Sequence, residues 1–144
     1  MELAEIGKNI LINCMNVKPG ENVLIVTDDE KYAIGQALYQ AAKLLKAEAM
    51  LMTMPAREVS GQEPPAVVAA AMKAADAVIC PMKTSITHTR AKIEAAEAGA
   101  RIATMPGITE EMFAGMFRFI IIGSIRLVPF LAIASVGMQP VRQR

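Results

Sequence analysis

Residues 83–90 (KTSITHTR) bring together hydroxyl groups, two cations and the only histidine of the chain. The segment lies between a predicted strand and a predicted helix, and the N–H groups at a helix N-terminus attract anions. Ser85, Thr87, His88 and Arg90 are therefore candidate ligand-facing residues, with His88 available as acid, base or hydrogen-bond donor. The alternative is that Thr87 caps the helix and His88 is an ordinary surface residue. The sequence supports both interpretations equally.

Other chemical motifs in the chain give weaker signals. Asp28, Asp29 and Glu30 follow the first predicted strand and could hold a hard cation, but we favour a helix-capping role for them. No G-x-S-x-G elbow presents Ser85, so a Ser-His-acid triad is not assembled. The two glycine-rich nucleotide-binding patterns, G-x-G-x-x-G and G-x-x-x-x-G-K-[ST], do not occur. The 11 methionines predict core packing rather than a copper site, because no His or Cys clusters with them.

The elements that must position these residues can be predicted from apolar patterning. Short apolar runs that predict buried strands occupy residues 22–27, 48–54, 76–81 and 101–105. Each interval between them leaves room for one helix. Helices are predicted over residues 3–14, over 31–46, after Pro64 and Pro65, and from Thr87 or His88 to Ala98, with Gly99 as a left-handed cap and a further helix from Thr109.

This order predicts an α/β fold: a Rossmann-like three-layer domain with a mainly parallel, four-stranded or slightly larger sheet. Open parallel sheets bind ligands beyond the carboxyl ends of their strands. The segments at those ends are residues 27–30, 55–63, 82–89 and 106–111. The polar segment at 83–90 overlaps one of them.

Composition narrows the classes of function. With 53% apolar and 20% charged residues, the 144-residue chain is suited to a folded core rather than disorder. Its 15 basic and 14 acidic residues are nearly balanced, which argues against a nucleic-acid partner. Cys14 and Cys80 form no C-x-x-C pair and predict buried thiols in a reducing compartment. The N-terminus lacks the pattern of a signal peptide, so we expect a cytoplasmic protein.

The segment 80–113, CPMKTSITHTRAKIEAAEAGARIATMPGITEEMF, resembles the N-terminal domain of thermophilic-type metalloaminopeptidases, the aminopeptidase T or leucyl aminopeptidase-like group. The motifs that carry the resemblance are TSITHTR at 84–90, AGAR at 98–101 and MPGI at 105–108. The opening also fits, with NVKPGENVLIVTD at 16–28 after a first helix. The resemblance extends over residues 1–116, and a related branch resembles ring-cleaving dihydroxypyridine dioxygenases.

The resemblance implies a longer, two-domain, usually homodimeric parent enzyme that hydrolyses N-terminal residues from peptide substrates. It places divalent metal ions, of the zinc, cobalt or magnesium class, in a C-terminal domain, so no catalytic residue, metal ligand or cofactor is carried over to this chain. It also implies that Thr87 and His88, with Ser85 and Arg90 beside them, face the interdomain cleft. We therefore expect this chain to be an inactive domain of an aminopeptidase. The alternatives are a small-molecule or partner-binding α/β module, or a fragment of the dioxygenase branch.

Residues 117–144 differ sharply from the rest of the chain. All 14 acidic residues and 11 of the 15 basic ones lie in residues 1–116, for a net charge of −3, whereas the last 28 residues hold four Arg and no Asp, Glu or Lys. The apolar run at 119–138 is long enough to cross a bilayer, but Arg126 and Pro129 lie near its centre. We therefore expect a frameshift or truncation after residue 116 rather than a membrane anchor, a helix or an edge strand.

Overall fold

A computed structural model describes residues 3–115, so the prediction for residues 117–144 lies outside the described part of the chain. Helices and strands alternate strictly along it. The elements are α1 (Leu3–Asn13), β1 (Asn22–Asp28), α2 (Tyr32–Leu44), β2 (Glu48–Met54), α3 (Ala66–Ala74), β3 (Ala77–Met82), α4 (Arg90–Glu97) and β4 (Arg101–Pro106). Residues 110–115 are again helical.

The four strands form one parallel sheet in the order β2-β1-β3-β4. The predicted α/β three-layer fold is therefore confirmed. The chain first steps outward from β1 to β2, then crosses back over β1 to reach β3 and continues to β4. As a result, β1 and β3 are neighbours whose following helices leave toward opposite faces of the sheet.

Two apolar clusters fill the space on either side of the sheet. One cluster packs α1 and α2 against the sheet through Ile6, Ile10 and Leu38. The other packs α3 and α4 against the opposite face through Met72 and Ala95. Successive residues of the central strands alternate between the clusters, because neighbouring side chains in a strand point to opposite faces. Both faces of β1 and β3 are therefore buried, which is why their sequences are continuously apolar.

The structure corrects the starting points of two helices. Helix α2 begins at Tyr32 after Lys31, so neither Asp28 nor Asp29 occupies its N-cap. Helix α4 begins at Arg90, two or three residues later than predicted, with Thr89 rather than Thr87 as its N-cap. At the other end of α4, the prediction was right, since Gly99 has a φ of 109°.

Candidate functional site

The carboxyl ends of β1 and β3 meet at the point where the strand order reverses. Helix α2 leaves β1 on one face of the sheet and the loop toward α4 leaves β3 on the other. Such a reversal opens a crevice between the two departing segments, and open α/β sheets use this crevice for ligands. In this protein it lies between residues 28–31 and residues 83–86.

Asp28 fills the floor of this crevice. It is completely buried, and its carboxylate accepts hydrogen bonds only from backbone N–H groups. Oδ1 accepts from Glu30 and Lys31 at 3.0 Å each, and Oδ2 accepts from Lys83 at 2.7 Å. The carboxylate thereby ties the ends of β1 and β3 together, which is a structural role distinct from both helix capping and cation binding.

The two acids after Asp28 point to different partners. Asp29 Oδ1 accepts from the backbone N–H of Ala56 at 3.2 Å, whereas Glu30 pairs with the Lys83 ammonium at 3.4 Å. The three acidic side chains therefore do not converge on a common point. This arrangement does not support the hard-cation alternative for the acidic triplet, since oxygen-rich cation sites need converging ligands.

A row of three hydroxyl groups lies beside the crevice. Ser85 Oγ donates to Thr87 Oγ1 at 2.9 Å and accepts from the Thr87 backbone N–H at 3.1 Å. Thr87 Oγ1 in turn lies 2.9 Å from Thr104 Oγ1, which is buried in β4. Sequence reasoning missed Thr104, and the only signal was a single hydroxyl residue within an apolar strand.

The four predicted site residues therefore separate into two pairs. Ser85 and Thr87 come together in the hydroxyl row, half-buried and facing Thr104. His88 is exposed, and the exposed Arg90 guanidinium bonds Glu94 on the next turn of α4 at 3.0 Å. The hydroxyl pair therefore faces β4 at the carboxyl end of the sheet, whereas His88 and Arg90 lie toward solvent.

The N-terminus of α4, the predicted anion site, is already occupied by a side chain of the protein itself. The Glu63 carboxylate accepts hydrogen bonds from the backbone N–H groups of Arg90 at 2.8 Å and Ala91 at 3.2 Å. Thr89 caps the helix by accepting from the Lys92 N–H at 3.2 Å. An external anion would therefore have to displace Glu63, since acids stabilise a helix N-terminus.

Glu63 belongs to a strap, residues 55–63, that crosses over the polar loop after β3. The strap is fastened by Gly61 N–H donating to the Ser85 carbonyl at 2.9 Å and by Ser60 Oγ accepting from Ser85 N–H at 3.2 Å. None of residues 55–63 is buried. Because exposed polar contacts contribute little stability, the hydrogen bonds to Ser85 hold the strap only weakly.

A cavity of about 160 Å³ lies at the same end of the sheet, between the start of α2 and the segment after β4. Its walls carry one cation, two acids and three apolar side chains: Lys31, Glu30, Glu110, Ala33, Ile34 and Ile108, with Thr109 beside them. It is smaller than the roughly 300 Å³ at which drug-sized sites begin. It suits a small polar group better than a whole peptide.

Neither cysteine is set up for nucleophilic chemistry. Burial raises the pKa of the Cys80 thiol to about 12 and that of the Cys14 thiol to about 11. Reactive cysteines instead have thiolates that are stabilised at neutral pH. The two side chains act as small apolar groups, with Cys80 in the core beside α3 and α4.

The resemblance implies metal ions in the parent enzyme. A metal site within residues 3–115 would need several metal-ligating side chains close together. Within this part of the chain, no three His, Cys, Asp or Glu side chains lie close enough together to hold a metal ion. The described residues therefore do not fit a metal centre of their own. Among the same residues, no helix has the length and apolarity needed to span a bilayer.

Comparison with known proteins gives a match to a solved structure. No family model matches the chain, and no curated protein matches it. The solved structures that match include 2,5-dihydroxypyridine dioxygenase from Pseudomonas putida KT2440, with a TM-score of 0.63 and 18% sequence identity. The match covers 79% of this chain and 36% of the dioxygenase chain, so this chain spans about a third of that enzyme. At this identity the likeness establishes the shared fold.

Proposed function

We propose that residues 3–115 form the α/β domain of a longer, metal-dependent enzyme and present the loop at 83–90 to its active-site cleft. The observation that carries this proposal is the placement of the Ser85, Thr87 and Thr104 hydroxyls near the carboxyl ends of β3 and β4, at the edge of the sheet where open α/β sheets receive ligands. The partial coverage of a longer enzyme chain of the same fold supports the domain assignment.

For the longer enzyme we favour aminopeptidase activity, on the basis of the motifs at 84–90, 98–101 and 105–108. A metal centre in the second domain would supply activated water and polarise the scissile carbonyl. The role of this domain is to orient the substrate. The hydroxyl row offers O–H donors and oxygen acceptors to a peptide backbone, and the strap contacts the Ser85 backbone beside it.

A second candidate activity is ring-cleaving dioxygenation of a dihydroxypyridine. The structural likeness to 2,5-dihydroxypyridine dioxygenase favours it. The hydroxyl row would serve that reaction equally well, since ring hydroxyl and pyridine nitrogen atoms are also hydrogen-bonding groups. The two candidates differ in substrate and not in the role assigned to this domain.

The purified 144-residue chain tests the assignment first. We expect no metal-dependent release of amino acid from leucyl p-nitroanilide with Zn²⁺, Co²⁺ or Mg²⁺, and no loss of 2,5-dihydroxypyridine with Fe²⁺. Turnover of either substrate at a rate proportional to chain concentration would refute the non-catalytic role. The DNA downstream of codon 116, translated in three frames, then shows whether a His- and Glu-containing domain follows. If none follows in any frame, the proposal of a longer enzyme fails.

The longer enzyme, once expressed, separates the two activities and tests the hydroxyl row. Thr87→Val removes the central hydroxyl of the row and keeps the shape of the side chain, so we expect a raised KM with little change in kcat. Thr53→Val, on an exposed threonine of β2, is the matched control and should leave both constants unchanged. An unchanged KM in Thr87→Val would show that the row does not contact substrate.

A further inference from the structure

The strap crosses from one wall of the crevice to the other. On the β1 side, the Ala56 backbone N–H donates to Asp29 Oδ1 at 3.2 Å. On the β3 side, Gly61 N–H donates to the Ser85 carbonyl at 2.9 Å, and Ser60 Oγ accepts from Ser85 N–H at 3.2 Å. A ligand that enters the crevice from beyond the carboxyl ends of the strands therefore has to pass the strap.

An ion-pair cluster spans the same gap. The Lys83 ammonium lies 3.4 Å from a carboxylate oxygen of Glu30 and 3.9 Å from one of Glu58. Glu30 belongs to the β1 wall, Lys83 to the β3 wall and Glu58 to the strap, so the ammonium links all three segments. The Glu58 side chain is 85% exposed, and ion pairs at such exposure contribute little stability.

Glu63 fastens the far end of the strap. Its carboxylate accepts from the backbone N–H groups of Arg90 at 2.8 Å and Ala91 at 3.2 Å. These are the first two residues of α4, where a negative charge interacts favourably with the helix dipole. Hydrogen bonds to a charged acceptor are also stronger than neutral ones. We therefore expect the Glu63 carboxylate to hold the strap more firmly than its contacts with Ser85 do.

The closed strap also leaves one buried donor unsatisfied. Arg57 Nη2 donates to the Glu63 carbonyl at 3.2 Å, but Arg57 Nε is buried and has no hydrogen-bond partner among the described residues. An unpaired buried donor raises the free energy of the conformation that buries it, and opening would return this N–H to water. Because weak contacts favour the closed strap and this cost opposes it, the closed and open conformations should be close in free energy.

We propose that the strap is a gate: residues 55–63 open as one unit and expose the crevice, while the sheet beneath stays folded. The Asp28 carboxylate can keep its hydrogen bonds, because its three donors lie in the two walls and none lies in the strap. The inference rests on the proposed function only for the crevice as the place where a ligand enters. Opening itself is a property of the described domain.

Hydrogen exchange of the purified 144-residue chain, followed amide by amide by NMR, tests the gate. The N–H groups of Gly61 and Ser85, whose acceptors lie across the strap contact, should exchange together. After correction for intrinsic rates, they should exchange about 100-fold faster than the N–H of Lys83. Lys83 is the matched internal reference, since its N–H in the same loop bonds to the buried Asp28 carboxylate.

Two results of this experiment would overturn the proposal. Equal, slow exchange at Gly61, Ser85 and Lys83 would show that the strap is a fixed part of the domain. Equal, fast exchange at the three positions would show that the whole loop after β3 unfolds, rather than the strap alone. Neither result depends on enzymatic activity, so the gate and the proposed function can fail separately.

Glu63→Gln tests the fastening at α4. The amide removes the charge and turns an NH₂ group toward one of the two helix N–H groups, so the open strap should become more populated. Exchange at Gly61 and Ser85, which the Glu63 side chain does not contact, should then rise about tenfold. Glu48→Gln, on an exposed acid at the amino end of β2, is the matched control and should leave both rates unchanged.

Unchanged exchange of the sheet amides would establish that the Glu63→Gln variant is folded. Wild-type exchange at Gly61 and Ser85 in this variant would overturn the proposal. So would faster exchange confined to the N-terminus of α4, because Glu63 would then stabilise the helix without holding the strap.

Discussion

Asp28 is the residue on which the geometry of the crevice depends. Its buried carboxylate accepts three backbone N–H groups, from Glu30, Lys31 and Lys83, and so joins two strands and the turn between β1 and α2. Hydrogen bonds to a charged acceptor are stronger than neutral ones, and a buried donor that loses its acceptor keeps its full desolvation cost. The stability of the crevice should therefore depend on this one carboxylate.

Asp28→Asn tests this dependence. The amide has the same shape, but its NH₂ group must face at least one backbone N–H where an oxygen stood before. We expect the free energy of unfolding to fall by about 3 kcal/mol, as measured by urea denaturation. Asp29→Asn is the control, because Asp29 is exposed and accepts a single bond, and it should change stability by less than about 0.5 kcal/mol. Equal effects of the two substitutions would contradict the structural role of Asp28.

Some residues of the candidate site could be predicted from the sequence and others could not. Ser85 and Thr87 could be recognised because they lie two positions apart in a loop at a strand end. Thr104 and Glu63 could not, since each reaches the site from an element distant in sequence, 17 residues from Thr87 and 27 from Arg90. Thr87 was one candidate for the N-cap of α4, but Thr89 is the residue that caps this helix. Hydroxyl residues alternate in this loop, and their local pattern does not specify which side chain turns toward the helix.

At the scale of elements, the sequence predicted the positions of all four strands, because each is a short apolar run. Burial on both faces holds for β1, β3 and β4, but in β2 only Met54 is buried, so the prediction of a buried strand there was wrong. Strand β2 begins and ends at the predicted residues, 48 and 54, although its methionines are weak strand formers. Helix ends were less accurate, because hydrogen bonds to distant residues, such as Asp28 to Lys83, set the geometry of the turns before them. The position of β2 at one end of the described sheet followed only from the strand order, which the apolar periodicity of the sequence does not specify.

Helix α2 lies so close to β1 that a glycine is needed at the contact. A Cβ added at Gly35 would lie 2.7 Å from the Thr27 Cβ and Cγ2 atoms. In an exposed helix, replacing Gly by Ala stabilises by about 1 kcal/mol, but overpacking a core costs about 1–3 kcal/mol. Since Thr27 is buried and its hydroxyl donates to the Pro81 carbonyl at 2.9 Å, it cannot move away freely.

Gly35→Ala should therefore lower the free energy of unfolding by about 1–2 kcal/mol, measured by urea denaturation. Gln36→Ala, at the exposed neighbouring position of the same helix, controls for helix propensity and should be neutral or slightly stabilising. If Gly35→Ala instead stabilised the protein as much as Gln36→Ala, the helix would not be held against β1 as closely as the structure places it.

At the scale of the whole molecule, burial links the two thiols to the pH dependence of stability. The folded protein raises the pKa of Cys14 to about 11 and that of Cys80 to about 12, from an ordinary value of 9.0. Above pH 9 the unfolded chain therefore loses thiol protons that the folded chain retains. Stability contributed by the protonated thiols is complete below pH 9 and declines as the pH rises toward 11. Lys92 acts in the opposite direction, because desolvation lowers its pKa in the folded state.

We expect the free energy of unfolding, measured by urea denaturation in a reducing buffer, to fall between pH 9 and 10.5. A Cys14→Ala/Cys80→Ala variant should show a smaller fall across the same range, whatever its stability at pH 7, since only the slope reports the thiol protons. Lys92→Met should steepen the fall, because it removes the group whose contribution rises with pH. A double cysteine variant with the wild-type slope would mean that the thiols are exposed in the native state, contrary to the buried position of Cys80 between the sheet and α4.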